Sequence, residues 1–385
     1  MMSLLKKTTL TMALLAVSVV SFADNGISPP KQDNSAYVLM DYDTGTILAQ
    51  SNADTPLPPA SLTKMMTSYI LEQKLLSGEL SETTPIKMSE TAWCRGSSRE
   101  SCMYVPLGES ATAIDMLRGI IIQSGNDASA AVAEHISGSQ SAFAVIMNDE
   151  AAKLGMNSTH FVNATGMPAE GHRSSARDLA VLARTIIKNS AQYYVLYSEK
   201  EFTYNNIKQG NRNALLFTDA TVDGLKTGHT SESGYSLAVS SQKDNMRLIA
   251  IVLGAKSEQA RAKQARELLD FGFGHFENVV ISPQGSDVGT VSVKFGKVGS
   301  VHASTLNDLK VLTAKNQKSN FTTAIKLNDN ITAPIRKGQE LGQMMAMMDG
   351  NAVASTPIIA SEDVEQAGFV GRMWQSLTAW IKGLF

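Results

Sequence analysis

Three short polar motifs occur in a fixed order along this chain of 385 residues: Ser61-Leu62-Thr63-Lys64, Ser124-Gly125-Asn126 and Lys226-Thr227-Gly228. Each string is common alone, and a second Ser-x-x-Lys string begins at Ser3, but the ordered set is rare. A serine and a lysine three residues apart share one face of a helix, where the amine can take the hydroxyl proton. The motifs therefore require a fold that gathers helix ends and a strand edge around one cleft.

Hydrophobic periodicity places these motifs on particular elements. Apolar residues recur at helical spacing after Ser61, which predicts that Ser61 lies at a helix N-terminus, where backbone N–H groups and the helix dipole favour negative charge. The Ser124 motif follows one predicted helix and precedes another, and the Lys226 motif is predicted on a strand. Further helices are predicted at residues 114–123, 128–136, 142–154, 175–188 and 259–271. A hairpin is predicted at 36–40 and 46–50, and an antiparallel strand pair at 235–241 and 248–253.

Composition and pattern divide the chain. The net charge of -2 and the lack of a basic run give no reason to expect a nucleic-acid partner. From about residue 278 the sequence changes to short strand-like runs separated by Gly, Asn and Asp, at 288–295, 298–303, 309–313, 322–327, 341–347 and 352–359. We therefore predict an α+β domain over residues 24–277 and a small β-sandwich domain over residues 278–361.

The N-terminal 23 residues have the pattern of a secretory signal peptide. Lys6 and Lys7 precede a short apolar stretch, which ends in Ser21-Phe22-Ala23. Cleavage is expected before Asp24, because small residues stand at the positions that signal peptidase reads. The apolar run is short for a membrane-spanning helix. A retained N-terminal anchor is the alternative.

Two cysteines, Cys94 and Cys102, are the only ones in the chain. In an exported protein they are candidates for one disulfide that closes a small loop, with two free thiols as the alternative. Neither histidine nor further cysteine lies nearby at ligand spacing, so we expect no zinc site and no cofactor.

The C-terminal segment, residues 362–385, has a different pattern again. It combines one apolar stripe with a few polar residues on the other side; the stripe contains Val370, Met373, Trp374, Leu377, Trp380, Ile381 and Leu384. Tryptophan and basic residues on an amphipathic helix are typical of helices that lie in a membrane surface. We predict a membrane-anchoring helix. Docking of the stripe on the chain's own β domain is the alternative.

The motifs supply what acyl transfer by a serine requires. A serine hydroxyl needs a nearby base and a site for the oxyanion. Lys64 can act as that base if burial and the neighbouring cation of Lys226 lower its pKa. Ser124 can relay a proton to the leaving amine. Asn126 can hold Lys64 or the substrate amide, and Lys226 with Thr227 can bind the anionic end of a substrate. Gly228 permits close approach of the strand to a ligand.

A Ser-His-Asp triad is a competing interpretation that starts from His229. No serine in this chain lies in a Gly-x-Ser-x-Gly string, the elbow that presents the nucleophile in one large class of triad enzymes. We therefore favour lysine as the base.

With these motifs the chain resembles the low-molecular-mass penicillin-binding proteins of bacterial envelopes, specifically the serine-type D-alanyl-D-alanine carboxypeptidases. Besides the three motifs, the resemblance is carried by residues 59–66, 119–127, 174–180, 211–213 and 222–230, and by the β domain and tail. It implies a β-lactamase/transpeptidase-like domain, with an antiparallel sheet flanked by helices and a helical subdomain.

The resemblance also implies roles for individual residues. Ser61 is the acylated nucleophile, Lys64 its base and Ser124 a proton relay. The substrate-binding residues are Asn126, Lys226, Thr227, Gly228, His229 and Arg261. The N–H groups of Ser61 and His229 would form the oxyanion hole, and Arg261 would lie near the substrate's terminal carboxylate. Arg212 is a weaker match, because its spacing to Lys226 differs from the family pattern.

The implied activity is removal of the C-terminal D-alanine from peptidoglycan pentapeptides, with β-lactams acylating Ser61. The expected location is the periplasm, on the outer face of the inner membrane. Competing functions are a DD-endopeptidase, a weak β-lactamase and a penicillin-binding module without turnover. Glu170 lies in the interval where one class of β-lactamase has a glutamate, but it lacks the local pattern. The loop at residues 93–108, with its cysteines and with Arg95, Arg99 and Glu100, departs from the family pattern.

Overall fold

The computed structural model describes residues 28–95, 100–315 and 320–382, with side chains described as far as residue 375. The predicted signal peptide, Arg99 and Leu384 lie outside the described residues, and so do the side chains of Leu377, Trp380 and Ile381. The described chain forms two compact units. Residues 28–277 make up most of one, here called the N-terminal unit, and residues 278–313 and 320–382 make up the other, here called the β unit. The α+β class predicted from the sequence is confirmed.

Helices and strands of the N-terminal unit follow each other with short connections. Its helices are α1 (Lys64–Leu76), α2 (Ala113–Ile121), α3 (Asn126–Ser137), α4 (Gln140–Lys153), α5 (Ala176–Asn189), α6 (Ala191–Tyr194), α7 (Leu215–Thr218) and α8 (Glu258–His275). Its strands are β1 (Ala36–Asp41), β2 (Ile47–Ser51), β3 (Pro85–Lys87), β4 (Ser110–Thr112), β5 (Glu201–Tyr204), β6 (Ile207–Gly210), β7 (Val222–Thr230), β8 (Gly234–Lys243) and β9 (Met246–Ala255).

A five-stranded antiparallel sheet with the order β2-β1-β9-β8-β7 forms the centre of this unit. Its central strands are apolar on both faces because helices cover both. Val38 and Ile251 belong to the large core that the sheet shares with α1 to α5. Leu39 and Leu248 alternate with these residues along the strands, so they lie on the opposite face of the sheet, against Gly272 of α8. The predicted hairpin and the predicted pairing of 235–241 with 248–253 are both confirmed as β1-β2 and β8-β9.

Side-chain caps begin four of the helices in the N-terminal unit. Thr112, Ser139, Ser175 and Ser257 each accept a hydrogen bond from a backbone N–H of the first turn. Such a cap stabilises a helix by roughly 1 kcal/mol, because it satisfies an N–H that the helix leaves free. The helices predicted at 114–123, 128–136, 142–154, 175–188 and 259–271 are therefore confirmed as α2, α3, α4, α5 and α8, with ends shifted by a few residues.

The start of α1 differs in detail from the prediction. Ser61 lies in a 3₁₀ turn, Ala60–Thr63, and the α-helix begins at Lys64. The turn is tighter than an α-helix, and it still leaves Ser61 at the N-terminal end of a helical segment. The sequence pattern could not separate the two, because both place residues three apart on one side.

The β unit contains two sheets around one core. A five-stranded sheet has the order β11-β12-β16-β15-β14, and β10 pairs with β13. The strands are β10 (Phe276–Ser282), β11 (Asp287–Ser292), β12 (Ser300–Thr305), β13 (Leu309–Ala314), β14 (Thr322–Leu327), β15 (Glu340–Met348) and β16 (Asn351–Ala360). Val301, Val311 and Ile358 from three of these strands are buried together. Each strand-like run predicted in this region corresponds to one of them.

The C-terminal helix, α9 (Phe369–Lys382), is attached to the β unit through Gln375 of its polar side. Gln375 donates from Nε2 to the Gly296 carbonyl at 3.1 Å and accepts from the Phe295 N–H at 2.7 Å. Val370, Met373 and Trp374 of the apolar stripe are 60–79% exposed, so most of the surface of these side chains is open to solvent. Within the three described ranges, no helix has the combination of length and hydropathy that crossing a membrane requires.

Candidate active site

The structure brings the three sequence motifs together. Lys64 Nζ lies 3.1 Å from Ser61 Oγ and 2.7 Å from Asn126 Oδ1, which joins the first motif to the second. The third motif runs along β7 directly beside the turn that carries Ser61. A Cβ on Gly228 would lie 3.1 Å from the Pro59 carbonyl, so only glycine lets the strand come this close without a shift.

Lys64 is fully buried and has three hydrogen-bond acceptors. Besides Ser61 and Asn126, the backbone carbonyl of Thr165 lies 2.6 Å from Nζ. An ammonium group has three N–H donors, and here each has one acceptor. Burial lowers the pKa of Lys64 to about 7, with the charge of Arg212 acting in the same direction. This pKa leaves a substantial fraction of neutral amine at physiological pH, which the role of a base requires.

Lys226 is the second buried amine of the site. Burial lowers the pKa of Lys226 well below its usual value, and the charges of Lys64, Arg212 and Arg261 act in the same direction. Its Nζ donates to the Thr227 carbonyl at 3.2 Å. Two ammonium groups in one buried site repel each other, so proton loss from one of them is favoured.

Ser124 contributes a buried hydroxyl in a strained conformation. Its φ of +59° is in the left-handed region, where residues other than glycine are uncommon. Among the described residues, its Oγ has no hydrogen-bond partner although it is buried. The next residue is fixed by a bond from the Gly125 N–H to the Gly119 carbonyl at 3.0 Å. A buried hydroxyl held in this way can bond with a bound ligand.

The wall formed by β7 and β8 carries an aromatic stack. His229 pairs with Tyr235 across the two strands, and their rings stack at 3.9 Å between centroids. The Arg261 guanidinium lies 5.7 Å from the Tyr235 ring centroid, within cation–π range. Arg261 is almost fully buried and also donates to the Gly228 carbonyl at 3.4 Å. The family resemblance implied His229 and Arg261 as site residues, but neither it nor the motifs indicated Tyr235.

The loop containing the two cysteines borders the second motif. Cys94 and Cys102 are joined by a disulfide. The Glu100 carboxylate accepts from Asn126 Nδ2 at 3.2 Å, and the Ser101 carbonyl accepts from the Asn126 N–H at 2.7 Å. Arg95 of the same loop forms an ion pair with Glu90, with 3.6 Å between Nη2 and Oε1.

Residues 163–169 form a second loop against the turn that carries Ser61. The Asn163 side chain accepts from the N–H groups of Thr165 and Gly166, at 3.1 and 2.8 Å, and so shapes the loop that presents the Thr165 carbonyl. Gly166 has a φ of +82°, and a Cβ there would lie 1.9 Å from the Ala60 carbonyl oxygen. No sequence motif marked this loop, since its contribution to Lys64 is a backbone atom.

His172 supports the same turn. Its Nδ1 accepts from the Val162 N–H at 3.0 Å, and its Nε2 lies 2.7 Å from Thr63 Oγ1. Burial lowers the pKa of His172 to about 4, so the ring is neutral at physiological pH and donates from Nε2 to Thr63. Within the described residues, no group of three or more His, Cys, Asp or Glu side chains could hold a metal ion.

Comparisons with known proteins agree with one another. Residues 23–257 match the family model of D-alanyl-D-alanine carboxypeptidase, and residues 276–366 match that of the C-terminal domain of penicillin-binding protein 5. The carboxypeptidase DacA of Haemophilus influenzae is 39% identical over 94% of this chain and 92% of its own length. DacC of Escherichia coli is 39% identical over 91% of this chain and 89% of its own.

Solved structures give the same result. Penicillin-binding protein 5 of Haemophilus influenzae has a TM-score of 0.73 and 38% identity, over 89% of this chain and 100% of that chain. Penicillin-binding protein D2 of Listeria monocytogenes, solved in an ampicillin-bound form, has a TM-score of 0.58 and 27% identity, over 64% of this chain and 99% of its own.

Proposed function

Because this chain belongs to the D-alanyl-D-alanine carboxypeptidase family, we propose that its reaction proceeds by acylation of Ser61 with Lys64 as the base. The chain is a serine-type D-Ala-D-Ala carboxypeptidase, whose substrates are peptidoglycan peptides. Three side chains, Ser61, Lys64 and Ser124, carry out the acyl and proton transfers.

Acylation begins with the neutral form of Lys64. With one proton lost, Nζ keeps two N–H bonds, enough for Asn126 Oδ1 and the Thr165 carbonyl, and its lone pair can accept the proton of Ser61 Oγ. The serine oxygen then adds to the carbonyl of the penultimate D-alanine, and the carbonyl oxygen becomes an oxyanion. The N–H groups of Ser61 and His229 stabilise that charge.

Release of D-alanine needs a proton on the leaving nitrogen. Ser124 can donate its hydroxyl proton to that nitrogen and recover one from Lys64, since its buried Oγ is unengaged among the described residues. Lys226 provides positive charge beside this path. The C–N bond then breaks, D-alanine leaves, and an ester of Ser61 remains. In the second half-reaction, Lys64 takes a proton from a water molecule, whose oxygen adds to the ester carbonyl. The bond to Ser61 Oγ then breaks, Oγ recovers the proton, and the shortened peptide leaves with a new carboxyl group.

Recognition of the substrate's terminal carboxylate is assigned to the wall formed by β7. Arg261 is buried behind Gly228, and the Thr227 side chain belongs to the same strand. A guanidinium is well suited to a carboxylate, because its planar N–H groups match the two oxygens. β-Lactams carry a carboxylate at the corresponding position, and we propose that they acylate Ser61; the ampicillin-bound relative supports this.

The observation that carries this proposal is the placement of Lys64 between Ser61 and Asn126, in a buried site that lowers its pKa to about 7. The experiment measures D-alanine release from diacetyl-Lys-D-Ala-D-Ala by the mature protein. Ser61→Ala is expected to abolish release, whereas Ser77→Ala, at an exposed position after α1, is expected to retain it.

Three results separate the alternatives. Full D-alanine release by Ser61→Ala would overturn the assignment of the nucleophile. Penicillin labelling of the wild-type protein without D-alanine release would favour a DD-endopeptidase or a binding module. Rapid turnover of the penicilloyl enzyme would favour a β-lactamase, for which Glu170 is a poor candidate because it is exposed.

We also propose the location of the protein. The signal-like residues 1–23 support export to the periplasm. For the rest of the chain we propose a peptidase domain at 24–277, a β domain at 278–361 and an anchoring segment at 362–385. The exposed apolar residues of α9 support peripheral attachment to the outer face of the inner membrane. Co-sedimentation with anionic lipid vesicles tests this: the full chain should sediment, and a chain ending at residue 361 should not.

A further inference from the structure

One carboxylate of the cysteine loop is connected to the base through a single amide. Glu100 accepts from Asn126 Nδ2 at 3.2 Å, and Asn126 Oδ1 accepts from Lys64 Nζ at 2.7 Å. A side-chain amide has a donor end and an acceptor end, whereas an ionised carboxylate only accepts. Glu100 therefore selects one of the two orientations of the amide, namely the one that directs its oxygen to Lys64.

Backbone hydrogen bonds hold the residues that follow Glu100 against Asn126 and Asp127 at the start of α3. The backbone N–H groups of Met103 and Tyr104 donate to the two oxygens of Asp127, both at 2.8 Å. The Asn126 N–H donates to the Ser101 carbonyl at 2.7 Å, and the disulfide closes the loop at Cys102. Glu100 thus directly precedes a segment anchored to the start of α3, and these anchors hold it beside Asn126.

We propose that Glu100 is a positioning residue for acylation, which orients the Asn126 amide toward Lys64 and places a negative charge near that lysine. This inference rests on the proposed roles of Ser61 and Lys64. The loop that departs from the family pattern thus acts on Lys64 through the Asn126 amide.

The charges around Lys64 determine the sign of the effect. Lys226 on β7 and Arg212 before it carry positive charge, which opposes protonation of Lys64. The carboxylates of Asp127 on α3 and Glu100 in the cysteine loop favour it. His172 is the fifth ionisable group that faces Lys64 among the described residues. The carboxylate of Glu100 raises the pKa of Lys64, against the larger lowering by burial. Loss of the Glu100 charge should therefore favour the neutral amine at lower pH.

The test is the second-order rate of acylation by a fluorescent penicillin between pH 5 and pH 9. Glu100→Gln is expected to move the acidic limb of this profile to lower pH by about half a unit. This is the order of pKa shift that a partly screened charge causes when one side-chain amide separates it from the titrating group. When each acylation rate is divided by that protein's own plateau rate, the rate of the variant at a pH well below the limb should be about three times that of the wild type. Glu90→Gln removes a carboxylate from the same region, where Glu90 is paired with Arg95, and should leave the limb in place.

A structural role for Glu100 would lower the rate equally at every pH, so the position of the limb separates the two roles. Glu100→Ala should move the limb in the same direction and also lower the plateau, because the amide is no longer oriented. An unmoved limb in both variants, or an equal shift in Glu90→Gln, would overturn the inference. If the wild-type protein showed no Ser61-dependent acylation, the proposed function would fail instead.

Discussion

Replacing Glu72 by glutamine is expected to raise the stability of the variant relative to the wild-type protein as the pH rises from acid to alkaline. Glu72 lies on α1, two turns after Lys64, and is fully buried. Tyr197 donates to its Oε1 at 2.8 Å, and its Oε2 is buried without a hydrogen-bond partner among the described residues. Burial raises the pKa of Glu72 to about 7 from an ordinary value of 4.5, although hydrogen bonding partly opposes this.

The size of the effect follows from the two pKa values. Below pH 4.5 the carboxyl is protonated in both the folded and the unfolded chain, so it contributes no pH dependence. Between pH 4.5 and 7 the unfolded chain loses the proton while the folded chain keeps it, and the free energy of unfolding falls as pH rises. A difference of this size corresponds to about 3 kcal/mol above pH 7. Glutamine does not titrate, so the variant avoids this loss.

Thermal unfolding of the wild-type protein and of Glu72→Gln, measured from pH 5 to pH 9, gives the difference directly. For a unit of this size, about 3 kcal/mol corresponds to about 6 to 12 °C in Tm at the alkaline end. Glutamine keeps an oxygen that can accept from Tyr197, and its added N–H groups give an offset that does not depend on pH. The test therefore uses the change in the difference between pH 5 and pH 9.

Glu79→Gln is the matched control, since Glu79 is an exposed carboxyl just beyond the same helix and is paired with Lys74. That bond lowers the pKa of Glu79, so this variant gains no stability as the pH rises. A Tm difference between Glu72→Gln and the wild type that stays constant from pH 5 to pH 9 would refute the reasoning.

Three further predictions concern the site. Acylation by penicillin should rise through about pH 7 as Lys64 loses its proton, and a rate that is flat from pH 5.5 to 8.5 would contradict the role of Lys64. Gly166→Ala should lower the acylation rate about tenfold or more, because its Cβ displaces the turn that carries Ser61. Gly171→Ala, which has a similar φ of +78° and no atom closer than 3.9 Å, should acylate normally, and equal losses would show that backbone strain alone is responsible. Tyr235→Leu should raise KM for the peptide about fivefold, the factor that about 1 kcal/mol of lost ring contacts with His229 and Arg261 gives; an unchanged KM would remove Tyr235 from substrate binding.

The parts of the site that depend on local strings of side chains can be predicted from the sequence. The spacing of Ser61 and Lys64 is sufficient to predict their contact, because a helical turn fixes it. The pairing of His229 with Tyr235 was also within reach, since β7 and β8 form a hairpin whose register places them opposite each other.

Other contacts depend on the path of the whole chain. The Thr165 carbonyl reaches Lys64 across a separation of 101 residues and belongs to the backbone, so no residue type marks it. Glu100 reaches Asn126 because the residues that follow Glu100 are bonded to Asp127 and Asn126 of α3. The short pairs β3-β4 and β5-β6 were missed because three or four residues give too little periodicity to recognise.

The contact between the Thr165 carbonyl and Lys64 limits how this enzyme can evolve under β-lactam selection. A single base change can remove the amide of Asn126 or the hydroxyl of Ser61, but every amino acid at position 165 supplies the same carbonyl oxygen. Moving that oxygen requires a different backbone path, and the neighbouring Gly166 admits no Cβ without displacing Ala60. Mutational routes to an altered lysine environment must therefore pass through side chains, such as Asn126 or its partner Glu100.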